Sequence, residues 1–467
     1  MSGFRAILLA AGLGKRMKSA LPKVLHKVCG KPILYHVVDS LLGAGADSIV
    51  IVVGHQGEMV EEAVKAIGVA PFKLQCVYQK EQLGTAHAVM QAENLMKDYD
   101  GPVVIAAGDV PLLPSDAVKE LVASLEAKAA SAVVLTTVMD DPSGYGHIVR
   151  GADGKVVKIV EDKDASPAEK SIREINSAVY SFQSKILFQM LGQVDRANAQ
   201  GEYYLTDVVK VMVSKGLDVE AVVWPHPVEV MGINTRLEQA EAEGILRQRI
   251  REKLMLDGVT IIDPSSVFID ADVKIGNDTI IYPFTIIEGN SSIGQRCTIG
   301  PGARLVDTFV DDDAVVQQAV AYESQIGPRA SVGPFAYLRP GTILQEGAKV
   351  GTFVEVKKST IGKNSKVPHQ SYIGDATIGK DVNVGAGTIT CNYDGKRKHP
   401  TIIGDEVFIG SNTNLVAPVR VEKGAYVAAG STITQDVPSG ALGIARGLQR
   451  NIEGWVGRRR KRDESQE

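Results

Sequence analysis

The sequence predicts two folds in one chain: a doubly wound, Rossmann-like α/β domain, then a parallel β-helix of hexapeptide repeats. Three observations carry this. Apolar strands alternate with helical segments from residue 5 to residue 137. From about Val267 to Val437, aliphatic residues recur every six positions. Glycine often stands directly after the aliphatic residue, as at Gly276, Gly294, Gly327, Gly351, Gly362 and Gly410.

Period six suits neither a helix nor an alternating strand. It suits a flat-sided coil of short strands and turns, three units to a coil, with strands of successive coils ~4.8 Å apart. The inward series runs Ile269, Ile275, Ile281, Ile287, Ile293, Ile299, Leu305, then Val320, Ile326, Val332, Leu338, Leu344, Val350, Val356. It slips by one at Ile361 and again at Ile378, and closes with Ile403, Ile409, Leu415, Val421, Val427 and Ile433. Corner glycines are expected where a side chain would crowd or φ is positive. Two interruptions, Val306 to Gln317 and Thr390 to Thr401, are expected to leave the prism as loops.

In the first half, Arg5 to Ala10 reads as a buried strand, followed by Ala11-Gly12-Leu13-Gly14-Lys15-Arg16-Met17. Glycines after a strand let backbone N–H groups approach phosphate, and Lys15, Arg16 and Lys23 add charge. A tight turn decorated with charges accounts for the loop equally. Pro32 to Leu42 reads as a helix, Ser48 to Val53 as a strand, Glu58 to Ile67 as a helix and Lys73 to Tyr78 as a strand. Gln82-Leu83-Gly84-Thr85-Ala86 enters another helix. Val103 to Ala107 is a strand whose carboxyl end leads to Gly108-Asp109, where open α/β sheets bind ligands. Asp109 is read as a Mg²⁺ ligand, with a helix cap as the alternative. Strands follow at Ala132 to Thr137, Ile148 to Arg150, Val156 to Glu161, Ala178 to Phe182 and Val219 to Val223, with a helix from about Tyr203 to Val213. A long charged helix, about Arg236 to Leu256, is expected to join the domains as a spacer.

At 467 residues the chain exceeds one hydrophobic core. Its formal charge of −4 gives no nucleic-acid signature. No segment reaches eighteen continuous apolar residues, so no membrane span is expected, and the start shows no signal-peptide pattern. Four scattered cysteines suit a reducing cytosol rather than a disulfide framework. Arg458 to Arg462 is read as a solvated, disordered basic end.

Leu9-Ala10-Ala11-Gly12-x-Gly14-x-Arg16-Met17 with Leu21-Pro22-Lys23 resembles the sugar-nucleotide pyrophosphorylases. Joined to Gln82-Leu83-Gly84-Thr85-Ala86-His87-Ala88, to the coil, and to Asn383-Val384-Gly385-Ala386-Gly387-Thr388-Ile389-Thr390-Cys391-Asn392-Tyr393-Asp394-Gly395, it is similar to one bacterial bifunctional family. That family joins N-acetylglucosamine-1-phosphate uridyltransferase to glucosamine-1-phosphate N-acetyltransferase, and the resemblance spans about Ala6 to Trp455.

The resemblance implies an α/β nucleotidyltransferase domain at 1–232, a linker helix at 233–257, a left-handed β-helix acetyltransferase domain at 258–440 and a basic tail at 441–467. It implies that Leu9, Ala10, Ala11, Gly12 and Gly14 cradle UTP, that Arg16 and Lys23 hold phosphates, and that Gln79, Gly84 and Thr85 read uracil. Gly146, Glu161 and Asn176 would hold the N-acetylglucosamine part, and Asp109 and Asn234 would bind Mg²⁺. Lys15 stands where the family usually has Thr, and Ala107 where some members have Tyr.

On the coil, polar residues gather at Arg339, Glu355, Lys357, His369, Tyr372, Asn383, Asn392 and Tyr393. Arg339 and Lys357 are eighteen residues apart, one coil, so two cations share a ridge and suggest an anion; solvated decoration is the plain alternative. His titrates near ~6.5, suitable for proton transfer. The resemblance implies His369 as general base, with Glu355 sharing charge with the amine. It implies Arg339, Lys357, Tyr372 and Asn383 as ligands of glucosamine 1-phosphate, with Asn392 and Tyr393 closing around it. Ala386, Asn392, Tyr393, Ser411, Ala429 and Arg446 are expected to contact acetyl-CoA. A cytoplasmic homotrimer acting on small molecules is implied. Two rivals stay open: a single sugar-1-phosphate nucleotidyltransferase with a structural or regulatory coil, and a non-enzymatic scaffold.

Overall fold

The computed structural model describes residues 3–70 and 72–465. It divides into two compact units, Met1–Arg249 and Ile250–Glu467.

The first unit is a sheet with helices on both faces. Its strands are β1 (Phe4–Ala10), β2 (Ala46–Val53), β3 (Leu74–Tyr78), β4 (Pro102–Ala107), β5 (Ala132–Val138), β6 (His147–Arg150), β7 (Val156–Val160), β8 (Glu174–Gln183) and β9 (Val219–Val223). The principal path is β9-β5-β8-β4-β1-β2-β3. β1 pairs parallel with both β2 and β4. The order therefore reverses at β1, and the carboxyl ends of β1 and β4 open the crevice where such sheets bind ligands. β1, β2 and β4 are apolar on both faces because helices cover both. Leu8, Ile51 and Val104 pack on one side with α1 (Ile33–Gly43), while Ile7, Val50 and Ile105 pack on the other with α2 (Thr85–Met90).

Beyond the alternation that ends at residue 137, β8 runs antiparallel to both β4 and β5. An apolar run carries no sign of its direction, so periodicity could not have revealed this. The β6–β7 hairpin hangs from β8. The long helix forms as read, over Arg236–Leu256. Its first turn is a capping box: Thr235 Oγ1 accepts from the Glu238 backbone N–H at 3.2 Å, and the Glu238 carboxylate accepts from the Thr235 N–H at 3.0 Å.

The second unit is a parallel β-helix. Its strands, two to four residues each, stack into three parallel sheets. Ile281, Ile299, Val316, Val332, Val350 and Val367 form one continuous inward column, and all lie in one core with the columns of the other two walls. Buried hydroxyls finish the corners. Thr342 donates to the Arg339 carbonyl at 2.7 Å and Ser365 to that of Gly379 at 2.6 Å, so no water is needed there.

Three readings of this unit need correction: the first interruption, the inward place of Val320 and the disordered tail. The stretch from Val306 to Gln317 does not leave the prism: Phe309–Val310 and Val315–Val316 are ordinary rungs. The coil is shortened instead, and Leu305 pairs with Ala321, so Ala321 rather than Val320 fills the inward slot. The tight corners use positive φ at Asp307, Gln318 and Glu323. The glycines after the aliphatic residues serve both expected purposes: Gly300 and Gly333 sit at positive φ, and others allow close approach. A Cβ on Gly351 would lie 2.0 Å from the Pro368 carbonyl oxygen, and one on Gly362 would lie 2.2 Å from that of Gly379. Finally, the basic tail is not irregular: Trp455–Glu464 is a helix, with the Arg459 guanidinium 5.3 Å over the Trp455 ring.

Candidate functional site

In the α/β unit the phosphate-type loop leaves β1 and turns at Gly14. There φ is +58°, and a Cβ would meet that of Lys23 at 2.8 Å. Gly12 is exposed with open space where a side chain would stand. The turn brings Lys23 back to the sheet, where its ammonium lies between the Asp109 carboxylate and the Asn234 amide oxygen, 3.1 Å from the latter. Asp109 follows β4, and its carbonyl accepts from the Ile233 N–H at 2.8 Å. Asn234 stands just before the Thr235 cap, with its backbone N–H also donated to Glu238. Tyr145 lies among these groups: burial raises its phenol, Glu238 and Asp109 add to that, and Arg16 opposes it.

Magnesium is commonly held by one or two carboxylates together with substrate phosphates. Asp109 and Asn234 present a carboxylate and an amide oxygen to one cation, the Lys23 ammonium, so this donor set fits such an ion. Among the described residues, no group of three or more His, Cys, Asp or Glu could hold a metal.

Gln79, Gly84 and Thr85 also come together. The buried Gln79 side chain donates to the Gly84 carbonyl at 3.0 Å and contacts His87 Nδ1 at 3.1 Å. Gly84 has φ +115°, and a Cβ there would meet the Tyr203 carbonyl at 2.4 Å. Thr85 Oγ1 accepts from the Leu205 N–H at 2.9 Å. On the β6–β8 side, the Asn176 N–H donates to the Gly146 carbonyl at 2.8 Å. Glu161 accepts from Thr206 Oγ1 at 3.0 Å, and burial pushes its carboxyl up. Glu161 and Thr206 also line a cavity of about 350 Å³ with Asp164, Asn198, Asp207 and Lys210, which the phosphate-loop residues do not reach.

On the coil, Leu338 pairs with Val356, placing Arg339 beside Lys357, and Glu355 pairs with Tyr372. Arg339 and Glu355 form a 2.8 Å ion pair. Lys357 is buried rather than solvated, 8% exposed, with Asp375 at 3.9 Å. The second interruption does leave the prism, as expected. It folds back as a hairpin with Tyr393 bridged to Lys398. Asp394 fastens it: the Arg397 backbone N–H, the His399 ring and the Lys396 N–H hold its carboxyl well below the usual range. Asn392 donates to Asp375 at 2.5 Å and reaches Tyr372 Oη at 3.5 Å. The fold of this loop sets Lys398 against Lys357, whose ammonium holds Lys398 below the usual lysine range.

His369 ends the strand Lys366–His369, on a different wall from Tyr372. It is exposed. Asn383 pairs with Lys366 on the wall of His369. Ala386, Ser411, Ala429 and Arg446 fall on one corner ladder: Asn412 N–H to Ala386 O at 2.7 Å, Gly430 N–H to Ser411 O at 2.8 Å, Arg446 Nη1 to Ala429 O at 2.9 Å. Sequence reading gave no role to Lys398, Asp375 or Thr206. The basic run Lys396-Arg397-Lys398 inside an interruption was the one available signal.

A switch-point α/β unit with a phosphate-type loop, followed by a hexapeptide-repeat coil, defines a nucleotidyltransferase joined to a bacterial-type acyltransferase. Family models agree: "Nucleotidyl transferase" matches residues 5–225, and "Bacterial transferase hexapeptide (six repeats)" matches 272–306 and 400–435. The chain is 49% identical to the bifunctional protein GlmU of Syntrophomonas wolfei, over 96% of this chain and 98% of that one. Against the GlmU proteins of a Geobacillus species and Heliobacterium modesticaldum, identity is 50% and 51%, covering 97% and 98% of both partners respectively. The chain belongs to the GlmU family, and it is a bifunctional enzyme with nucleotidyltransferase and acetyltransferase activities on sugar phosphates.

Proposed function

We propose that the coil transfers an acetyl group from acetyl-CoA to glucosamine 1-phosphate, and that the α/β unit then transfers uridylyl from UTP to N-acetylglucosamine 1-phosphate. The observation that carries this reading is the polar ridge on one wall of the coil: Leu338 pairs with Val356, which sets Arg339 beside the buried Lys357, and Asn392 of the looped-out segment reaches Tyr372 and Asp375. Arg339 and Lys357 place two positive charges on neighbouring rungs, each with one carboxylate near it, Glu355 at 2.8 Å and Asp375 at 3.9 Å, and a doubly charged phosphate gains from both cations. The phosphate of glucosamine 1-phosphate is the anion that this ridge suits, with Arg339 and Lys357 as its ligands.

In acetyl transfer, His369 accepts a proton from the sugar 2-amine as its nitrogen bonds to the thioester carbonyl carbon. The C–S bond breaks and coenzyme A leaves. Lys357, Tyr372 and Asn383 orient the sugar phosphate, with Arg339 held by Glu355. The Ala386–Ser411–Ala429–Arg446 corner, with Asn392 and Tyr393, receives acetyl-CoA. The exposure of His369 supports a site shared with a second copy in a homotrimer. So do the exposed Phe335 and Phe353 rings, stacked 5.5 Å apart on one corner.

In uridylyl transfer, a phosphate oxygen of the sugar attacks the α-phosphorus of UTP in line, and pyrophosphate leaves. The nucleophile is already anionic, so the protein supplies alignment and charge. Arg16 and Lys23 neutralise the phosphates, and Leu9 to Gly14 cradle them. Gln79, Gly84 and Thr85 read the base, while Gly146, Glu161 and Asn176 hold the sugar. Asp109 and Asn234 would hold Mg²⁺, which supplies charge neutralisation between the two phosphates when bound. Among the described residues no helix is long and apolar enough to cross a membrane, and cytoplasmic action fits these soluble substrates.

Supplying the purified chain with glucosamine 1-phosphate, acetyl-CoA, UTP and Mg²⁺ tests the reading. UDP-N-acetylglucosamine is expected only from the full mixture, and N-acetylglucosamine 1-phosphate accumulates when UTP is withheld. A nucleotide sugar formed without acetyl-CoA at the same rate, with no acetyl transfer, would favour the single-activity rival.

A further inference from the structure

We propose that Tyr180 is a positioning residue for the sugar end of the uridylyl-transfer site, acting through the side-chain amide of Asn176. This rests on the reading that Asn176 contacts the sugar.

β8 is interrupted between Asn176 and Tyr180. Asn176 pairs with Thr136 and Tyr180 with Val134, so three residues of β8 face Leu135 alone. Such a bulge re-aims side chains beside a site. This one is built from specific contacts. Ala178, without a glycine's freedom, sits at φ +59°. Ser177 Oγ donates to the Leu135 carbonyl at 2.7 Å and accepts from the Val179 N–H at 3.3 Å. The bulge therefore holds two residues off the ladder while satisfying their polar groups.

Its effect is to fix the Asn176 amide at both ends. Asn176 Oδ1 accepts from the Ala178 N–H at 3.1 Å, and Asn176 Nδ2 donates to Tyr180 Oη at 2.6 Å. An amide has two N–H donors and two oxygen lone pairs. One of each is used, which leaves one donor and one acceptor in a set orientation for a ligand. Tyr180 itself is immobile: it is 2% exposed and stacks on Phe182 with centroids 5.7 Å apart. The Glu161 carboxylate lies close enough to hold the Tyr180 phenol up further, after burial. Tyr180 thus stands directly behind Asn176, one of the three groups assigned to the sugar.

Tyr180→Phe removes one oxygen and keeps the ring. It leaves Asn176 Nδ2 without its buried acceptor, free to turn. KM for N-acetylglucosamine 1-phosphate is expected to rise about tenfold. KM for UTP and the acetyl-transfer rate of the same sample are expected to stay within about twofold. Asn176→Ala, measured alongside, should raise the sugar KM at least as much. If Asn176→Ala raises it and Tyr180→Phe does not, the positioning role is wrong and the sugar site stands. If Asn176→Ala leaves it unchanged, the sugar-site reading falls and takes this role with it. An equal rise in both KM values for Tyr180→Phe would mean general loosening and would also overturn the role. Should Tyr180→Phe not fold, the double variant Asn176→Ala/Tyr180→Phe removes the orphaned amide. Its sugar KM is expected to equal that of Asn176→Ala alone, and a further rise would show that Tyr180 acts by another route.

Discussion

Replacing His369 by alanine lowers acetyl transfer by about 10²–10⁴-fold, the usual contribution of one acid–base group, and leaves uridylyl transfer at its original rate. The reason is chemical. The sugar 2-amine must lose a proton as its nitrogen becomes an amide, and the exposed His369 imidazole, which titrates in the neutral range as a residue type, is suited to take it. The imidazole ends a strand at a corner of the prism, and its own backbone carbonyl is held by the Ser371 hydroxyl at 2.8 Å. Truncation therefore removes a base without opening the core, and the inward column through Val367 is untouched. Assays of both half-reactions on one preparation decide the matter. Acetyl transfer within threefold of the parent would remove His369 from the mechanism.

Replacing Asp109 by alanine has the complementary effect. Uridylyl transfer falls by at least about 10²–10³-fold, the order seen when one preorganised charge-stabilising group is lost, while acetyl transfer persists. Asp109 has two duties. Of the two side chains assigned to a divalent ion it is the carboxylate, and it anchors the Lys23 ammonium together with Asn234. Without it, Lys23 loses its main partner and the metal keeps a single amide oxygen from the protein. The Mg²⁺ concentration needed for half-maximal rate should rise in parallel, which separates metal loss from misfolding. A variant that loses both half-reactions while remaining folded would contradict the division of labour.

Much of this architecture was legible from residue types alone, for a physical reason. A coil too thin for anything but one aliphatic residue per wall writes its period directly into the chain, and Ile281, Ile299, Val332, Val350 and Val367 could be placed inward on that basis, whereas Val316 lay within the supposed interruption. The buried strands of the α/β unit were equally plain, since both faces are covered. What escaped notice depends on geometry that short-range pattern does not carry. The reversal of β8 is one case, because Ala178 to Phe182 reads the same in either direction. The exchange of Val320 for Ala321 is another. Five-residue corners at Asp307 and Gln318 shift the register, and an alanine in the inward slot does not advertise itself. The candidate sites divide the same way. Lys23, Asp109 and Asn234 were found through motif resemblance, but their convergence on one point needed the capping box at Thr235. Lys398 went unassigned because only the fold of its hairpin brings it to Lys357.

Mixing the His369→Ala and Asp109→Ala proteins, each unable to complete the sequence alone, bears most directly on two chemically independent sites sharing one chain. With glucosamine 1-phosphate, acetyl-CoA, UTP and Mg²⁺ present, the mixture is expected to form UDP-N-acetylglucosamine after a lag in which free N-acetylglucosamine 1-phosphate builds up. A mixture that stays silent, although each variant performs its remaining half-reaction at the parental rate, would contradict that independence.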